Sequence, residues 1–301
     1  MVMFLDEERV RGLLRWPELI PAMEVALAEF SQGRVLQPVR QMLTIEEEKR
    51  YLGIMPAVAE DAMGLKLVSF YPGNAERGLP THMAMVLLFR PDTGEPLAVM
   101  DGRLITEMRT AAVSAAATKR LAAPAAHVLA LLGSGVQAEA HFEALRQVRP
   151  IDEVRVWSRT PEHAKRFAEK HGATAMAAEH AVRGADIVVT ATNAVEPILM
   201  GAWLKPGAHV NAVGSPRPGW RELDDQAMRN VLVVDSREAV LKESGDVILS
   251  GASIHAEIGE IFAGTKTVPE GATTVFKSVG LAVEDIAAAK LVYDALANAP
   301  G

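Results

Sequence analysis

The sequence predicts an α/β chain in two parts. One is a doubly wound parallel Rossmann domain; the other is a smaller α+β domain with a mainly antiparallel sheet. Three observations carry that prediction. Residues 128–132, VLALL, form an unbroken apolar run that leads straight into Gly133-Ser134-Gly135 and a helix-forming segment. Beyond residue 120, apolar runs alternate with helical segments. Between Val35 and Val99, by contrast, short alternating runs are separated only by turns.

Composition narrows the function classes. At 301 residues the chain is long enough for two cores. Its net charge of -7, with no basic run, argues against a nucleic-acid partner. There is no cysteine, which removes disulfides, thiolate metal ligands and cysteine nucleophiles together and fits a reducing, cytoplasmic setting. The first residues, MVMFLDEERV, carry acids where a signal peptide needs a basic start. No apolar run approaches the roughly 18–20 residues of a membrane span, so no membrane partner is expected.

Taken in order, residues 6–31 read as two helices broken near Trp16-Pro17, with Pro21 placed in the first turn of the second. VRQMLTI, YLGIMP, MGLKLVSFY, THMAMVLLF and PLAVM then read as strands joined by turns, with antiparallel pairing. Such a sheet has edges and a face to protect, which points to a helix layer or a dimer partner. LITEMRTAAVSAAATKRLA, at 104–122, reads as a helix that ends before Pro124. The predicted boundaries are 1–119 for this first domain and 120–280 for the second. The C-terminal helix, 281–301, is expected to return to the first.

In the second domain VLALL, VRVW, ADIVVT, AHVNAV, VLVV and TTVF are six candidate buried strands with helical segments between them. After VLALL, Gly133 permits a tight turn, Gly135 lets backbone N–H groups approach a pyrophosphate, and Ala138 lets the helix pack close. The helix N-terminus offers unpaired N–H donors to phosphate. The bland alternative is a plain glycine turn; the repeated strand-helix rhythm favours dinucleotide binding.

An NAD-binding unit usually has an acid at the end of its second strand, where it meets the ribose hydroxyls. Here VRVW ends in Ser158-Arg159-Thr160. Arg159 with two flanking hydroxyls suits a 2′-phosphate, so NADP(H) is the expected cofactor and NAD(H) the second choice. The competing reading makes Arg159 a solvated loop residue and Ser158 a helix cap. In the first domain Arg40, Lys66 and Arg109 stand among apolar neighbours. Any one could be a snorkelling surface side chain; together they make a receptor for a small carboxylate. None of the eight histidines shows H-E-x-x-H or another compact ligand spacing, so no metal is expected.

At this point a resemblance adds to the residue-level reading. GIMPA, KLVSFYP, THMAMVLLF, MDGRLITEMRTAAVSAAATK, GSGVQA, SRT, NAVGS, WRELDD, VDSREAVLKESGDV and TTVFKSVGLAVEDIAAAKLVYD occur in order. Over essentially its full length the chain resembles the ornithine cyclodeaminase/mu-crystallin family, and its mu-crystallin branch more than the cyclodeaminases. The resemblance implies a substrate-binding first domain that dimerises through its sheet, giving a homodimer, and a Rossmann second domain. It implies that Arg40, Lys66 and Arg109 hold the substrate carboxylate, with Thr81 and the neighbouring His82 near the nicotinamide. It places Gly133, Ser134, Gly135, Val136, Gln137, Ser158, Arg159, Thr160, Thr190, Ala191, Thr192, Val213 and Ser278 on cofactor-contacting segments.

The departures matter as much. Cyclodeaminases carry a Glu just before the Met-Pro dipeptide and an Asp in the loop after the fourth strand. Those positions fall here on Gly53 and, with slack in the alignment, on Pro216. Cyclising a diamino acid needs proton transfers and a counter-charge for ammonium, and both acids are missing. The mu-crystallin branch also lacks them, which implies NADPH-dependent reduction of a cyclic ketimine such as pyrroline-2-carboxylate or piperideine-2-carboxylate. Lys66, its pKa lowered by burial and cationic neighbours, is the expected proton donor, with a water held by Thr81 or His82 as the second choice. The alternatives are a cyclodeaminase or amino-acid dehydrogenase of the same fold, or a non-catalytic binder of small ligands.

Overall fold

The computed structural model describes residues 2–47 and 49–297. The chain divides into two compact units, Met1–Arg109 with Leu281–Gly301, and Thr110–Gly280. Residues 298–301 of the expected C-terminal helix lie outside the described residues.

The first unit contains β1 (Met3–Leu5), α1 (Glu7–Leu13), α2 (Trp16–Ser31), β2 (Gln41–Glu46), β3 (Arg50–Val58), β4 (Met63–Phe70), β5 (His82–Phe89) and β6 (Pro96–Asp101). A long helix, α3 (Gly102–Leu121), follows, and the units divide within it between Arg109 and Thr110, ten residues before the boundary expected from the sequence. The later half of α3 is tied into the second unit. Asn211 Nδ2 donates to Thr118 Oγ1 at 2.9 Å, and Arg149 Nη2 donates to the carbonyls of Thr118, Lys119 and Ala122.

The six-stranded sheet runs β1-β6-β5-β4-β3-β2, antiparallel except for the β1–β6 pair. The short strand β1 went unread because three residues are too few to show a period. The second helix also departs from expectation. Pro17 occupies its first turn and Pro21 lies inside it. A proline one turn earlier already supplies the preset φ for helix entry.

Directly opposed residues of an antiparallel pair point to the same side. The register therefore puts Gly53, Met55, Ala57, Gly64, Lys66, Val86 and Leu88 on one face, all of them buried. The C-terminal helix α11 (Ala282–Ala297) packs on this face; a Cβ at Gly64 would lie 2.8 Å from Ile286 Cδ1 and 2.2 Å from the Leu87 carbonyl oxygen. Gln37 Oε1 accepts from Val283 N at 2.7 Å and holds the start of α11. The opposite face carries Leu43, Leu52, Ser69 and Met83 in one row and Gln41, Ile54, Leu67, Met85 and Asp101 in the next. Met83 is 43% and Met85 50% exposed, so the middle of this side is apolar and open.

The second unit holds β7 (Val128–Leu132), α4 (Val136–Leu145), β8 (Glu153–Trp157), α5 (Pro161–His171), β9 (Thr174–Ala175), α6 (Ala178–Val182) and β10 (Ile187–Thr190). There follow β11 (His209–Ala212), α7 (Asp225–Met228), β12 (Val231–Val234), α8 (Arg237–Glu243), α9 (Gly245–Ser250), β13 (Ile254–Glu257), α10 (Ile258–Phe262) and β14 (Thr274–Lys277). Its eight strands are all parallel, in the order β13-β12-β14-β11-β10-β7-β8-β9. This is the predicted doubly wound sheet, with β9 and β13 added at its two edges. Every residue of β7, β10, β11 and β14 is buried, as a sheet covered on both faces requires. The chain reverses direction across the sheet between β7 and β10, and that switch point is where such folds open a crevice.

Gly64→Ala should lower unfolding free energy by about 1–3 kcal/mol, because the added methyl meets a carbonyl oxygen and α11 together. Gly73→Ala, which meets nothing within 4 Å, should be close to neutral. Urea unfolding of both variants checks the difference.

Candidate functional site

In the first unit two of the three predicted cations come together around a pair of acids. Lys66 on β4 is 2% exposed, and its Nζ lies 2.7 Å from Asp285 Oδ2. Arg109 on α3 donates from Nε to Asp285 Oδ1 at 3.0 Å and from Nη1 to Glu284 Oε2. Both acids are fully buried in the first turn of α11. Burial pushes the Lys66 ammonium down to about 8, with the charges of Arg109 and Arg40 adding to the push and Asp285 pulling the other way. Burial works against ionising Asp285 too, but Arg109 and Lys66 hold its carboxyl below the usual range. Arg109 is raised: burial opposes its charge, and Asp285 and Glu284 outweigh it.

Arg40 is half-buried just before β2. Thr81 and His82 lie at the start of β5, where Thr81 Oγ1 and His82 Nδ1 are hydrogen-bonded at 3.2 Å. The exposed His82 ring tilts over Phe70 with centroids 4.3 Å apart. Gly53 sits on the same sheet face as Lys66. A Cβ there would meet Met42 Sδ and Val68 Cγ1, each at 3.0 Å. A side chain at that position would have to displace the end of Met42 and crowd Val68.

In the second unit the predicted cofactor residues gather at the carboxyl ends of β7, β8, β10, β11 and β14. Gly133 has φ +126°, and a Cβ there would lie 2.6 Å from the Ala191 carbonyl oxygen, so the loops after β7 and β10 touch at the switch point. Gly135 caps α4, and a Cβ on it would meet nothing within 4 Å. Val136 and Gln137 form the first turn of that helix, with Ser134 before the cap, and Ala138 is packed tight at 1% exposure. Ser158, Arg159 and Thr160 follow β8; Arg159 is exposed, and the helix cap of α5 is Thr160 rather than Ser158. Two glycines at the turn, open space at Gly135 before α4 and a cation beyond β8 fit a dinucleotide.

Thr190, Ala191, Thr192 and Val213 are held in place from below. Val213 N donates to Thr190 O at 3.0 Å. Buried Glu222 accepts four hydrogen bonds: Thr192 N and Oγ1 on Oε1, each at 2.7 Å, and on Oε2 Thr190 Oγ1 at 2.7 Å and Gly214 N at 2.9 Å. Burial pushes the Glu222 carboxyl up; Asp246 adds to this and Lys277 opposes it. Lys277 Nζ lies 2.9 Å from Asp246 Oδ2 and donates to Gly214 O at 2.7 Å, while Asp246 Oδ1 accepts from Glu222 N and Leu223 N. Ser278 Oγ donates to Asp235 Oδ2 at 2.9 Å, as do the backbone N–H groups of Val279 and Gly280. Pro216 is exposed in the loop after β11, beside Ser215, a buried non-glycine residue with φ +51°.

Four acids of these two clusters escaped the sequence reading. Glu284 and Asp285 left a trace, an adjacent acidic pair at the start of a mainly apolar helix. Glu222 and Asp246 lie within WRELDD and VDSREAVLKESGDV, segments that carry the resemblance but give no local sign of which acid is buried. Two histidines are structural: His141 bonds Gln137 O and Ser114 Oγ, His209 bonds Thr274 and Asn211, and burial lowers them to about 4 and about 3.

A fully parallel sheet with a glycine turn at its switch point, joined in one chain to a mainly antiparallel sheet, defines a two-part Rossmann protein. A family model described as the ornithine cyclodeaminase/mu-crystallin family matches residues 1–299. The chain belongs to that family. The ketimine reductase mu-crystallin of Mus musculus is 54% identical, over 97% of this chain and 96% of the relative. The structure of Thermococcus litoralis Delta(1)-pyrroline-2-carboxylate reductase in complex with NADH and L-proline superposes with a TM-score of 0.94 at 38% identity, covering 98% of each chain. An archaeal alanine dehydrogenase dimer with bound NAD gives 0.93 at 35% identity, covering 100% of this chain and 98% of the other. Among the described residues no helix is long and apolar enough to cross a membrane.

Glu222→Gln should destabilise the second unit by about 1–3 kcal/mol in urea unfolding. Either amide orientation turns an NH₂ group toward a backbone N–H, of Thr192 or of Gly214, and neither N–H can become an acceptor.

Proposed function

We propose that this protein is a reductase that converts a cyclic ketimine, of the pyrroline-2-carboxylate or piperideine-2-carboxylate type, to the cyclic amino acid with NADPH. The observation that carries the reading is a buried lysine in contact with Asp285, on a sheet face where Gly53 stands at the position that is acidic in the cyclodeaminases. Such a site can give a proton to an imine nitrogen. At Gly53 it offers no carboxylate to steer the second amine of a diamino acid. The likeness to a ketimine reductase and to a pyrroline-2-carboxylate reductase supports the same chemistry.

Arg40, Lys66 and Arg109 hold the substrate carboxylate, and that grip orients the ring. Lys66 is mostly protonated at neutral pH and donates to the imine nitrogen, raising the electrophilicity of the imine carbon. Thr81 and His82 offer a hydrogen-bonded pair that holds a water as the secondary proton route. The second unit holds the dinucleotide through residues 133–137 and 190–192, Val213 and Ser278; when bound, its reduced nicotinamide supplies the hydride. Ser158, Arg159 and Thr160 favour the 2′-phosphate of NADPH. The relatives bound to NADH and NAD make NADH the second reading of the cofactor. The open apolar face bearing Met83 and Met85 is the surface through which we expect a homodimer, and the absence of cysteine suits a cytoplasmic setting.

An NADPH-oxidation panel over five- and six-membered cyclic imines tests the activity. Ammonia release from ornithine or alanine without imine turnover would replace it with the amino-acid reading. Lys66→Ala should abolish turnover while NADPH still binds by fluorescence. Arg159→Ala should shift the NADPH:NADH ratio of kcat/KM toward NADH by about tenfold or more, the loss of a charge-assisted contact.

A further inference from the structure

Lys66 has to satisfy two demands that conflict. A proton donor must be charged when the substrate arrives, and complete burial disfavours that charge. What surrounds its nitrogen decides the outcome. The strands on either side contribute Met55 and Val86 opposite Lys66, and its own strand contributes Gly64 and Val68 to that face. Arg109 from α3 and Arg40 ahead of β2 act on it as like charges. The one anion in contact with it among the described residues is Asp285 from α11.

Asp285 is itself held. Its Oδ1 accepts from Arg109 Nε, and Arg109 Nη1 is held by Glu284 from the same turn of α11. The chain of contacts runs Lys66, Asp285, Arg109, Glu284 with alternating charge, and it fixes the carboxylate so that Oδ2 faces the ammonium. An ammonium has three N–H donors, more than the one carboxylate oxygen in contact with it takes up.

We infer that Asp285 is the positioning residue that keeps Lys66 charged and aimed, so that Lys66 enters each cycle carrying the proton it gives up. This rests on the reductase reading above. In the step, a Lys66 N–H bond breaks as an N–H bond forms on the imine nitrogen; the hydride that the imine carbon takes up is what a reduced nicotinamide would supply when bound. Neutral Lys66 beside anionic Asp285 then regains its proton from water. An opposite charge in contact supports a cation by roughly one to three pKa units. Removing it therefore makes Lys66 lose its proton at lower pH, and activity that needs the protonated form falls away earlier as pH rises.

The test compares wild type, Asp285→Asn and Glu284→Gln in two ways. The first is the pH profile of kcat/KM for imine reduction. The second is the titration of the Lys66 side-chain carbon in protein labelled with [ε-¹³C]lysine, assigned by its loss in Lys66→Met. Asp285→Asn should move the alkaline limb and the Lys66 titration down together by about one unit or more. Glu284→Gln, which touches Arg109 and not Lys66, should leave both near their wild-type positions. A limb and a titration unmoved in Asp285→Asn, with activity reduced equally at every pH, would overturn the inference. So would Glu284→Gln displacing them as far as Asp285→Asn does. If wild type reduces no imine while the Lys66 titration still shifts in Asp285→Asn, the reductase reading fails and the hold of Asp285 on Lys66 stands. Should Asp285→Asn not fold, Asp285→Glu keeps the charge. It should lower kcat with the limb in place, and a limb moved down by a unit would count against the inference.

Discussion

Charge buried away from water has to be matched within the protein, and the first unit is organised by that constraint. Lys66, Arg109, Glu284 and Asp285 are all buried. Removing one member of such a set typically costs about 3–5 kcal/mol, because it strands the charge left behind. The match requires residues from β4, α3 and the far end of the chain, so α11 must return to a sheet completed nearly two hundred residues earlier. Close approach at Gly64 and the hydrogen bond from Val283 to Gln37 make that return specific.

The second unit applies the same rule to backbone instead of side chains. Loops at the carboxyl ends of parallel strands carry N–H groups with no sheet partner, and a ligand crevice needs those loops in fixed positions. Glu222 and Asp246 accept from six such donors or hydroxyls between them, and Asp235 accepts three backbone N–H groups as well as Ser278 Oγ. The side chains that fix the rim are thus acids beneath it, while the rim itself holds no acid among Gly133 to Gln137, Ser158 to Thr160, Thr190 to Thr192, Val213 and Ser278.

Much of this architecture was legible beforehand. The six candidate strands of the second unit all pair in one parallel sheet; β7 and β10, buried on both faces, carry the clearest apolar runs. β9 and β13 were missed for the opposite reason: edge strands are short and half-exposed, and their residues carry no clear period. In the first unit the hairpin strands were readable from alternation. β1 pairs with β6 across ninety-odd residues of chain, and nothing local announces such a partner.

By itself the sequence determined the fold class, the glycine turn after β7, and Arg40, Lys66 and Arg109 as the cations of interest, because periodicity, glycine punctuation and charge within apolar runs are local properties. Only the tertiary structure decided that Lys66 and Arg109 are tied to Asp285 and Glu284, that Glu222 underlies Thr190 and Thr192, and that Gly53 is walled by Met42 and Val68. Ion pairing, hydrogen bonding and free volume are relations between distant segments. They come into being when the chain closes, and the spacing of letters along it does not encode them.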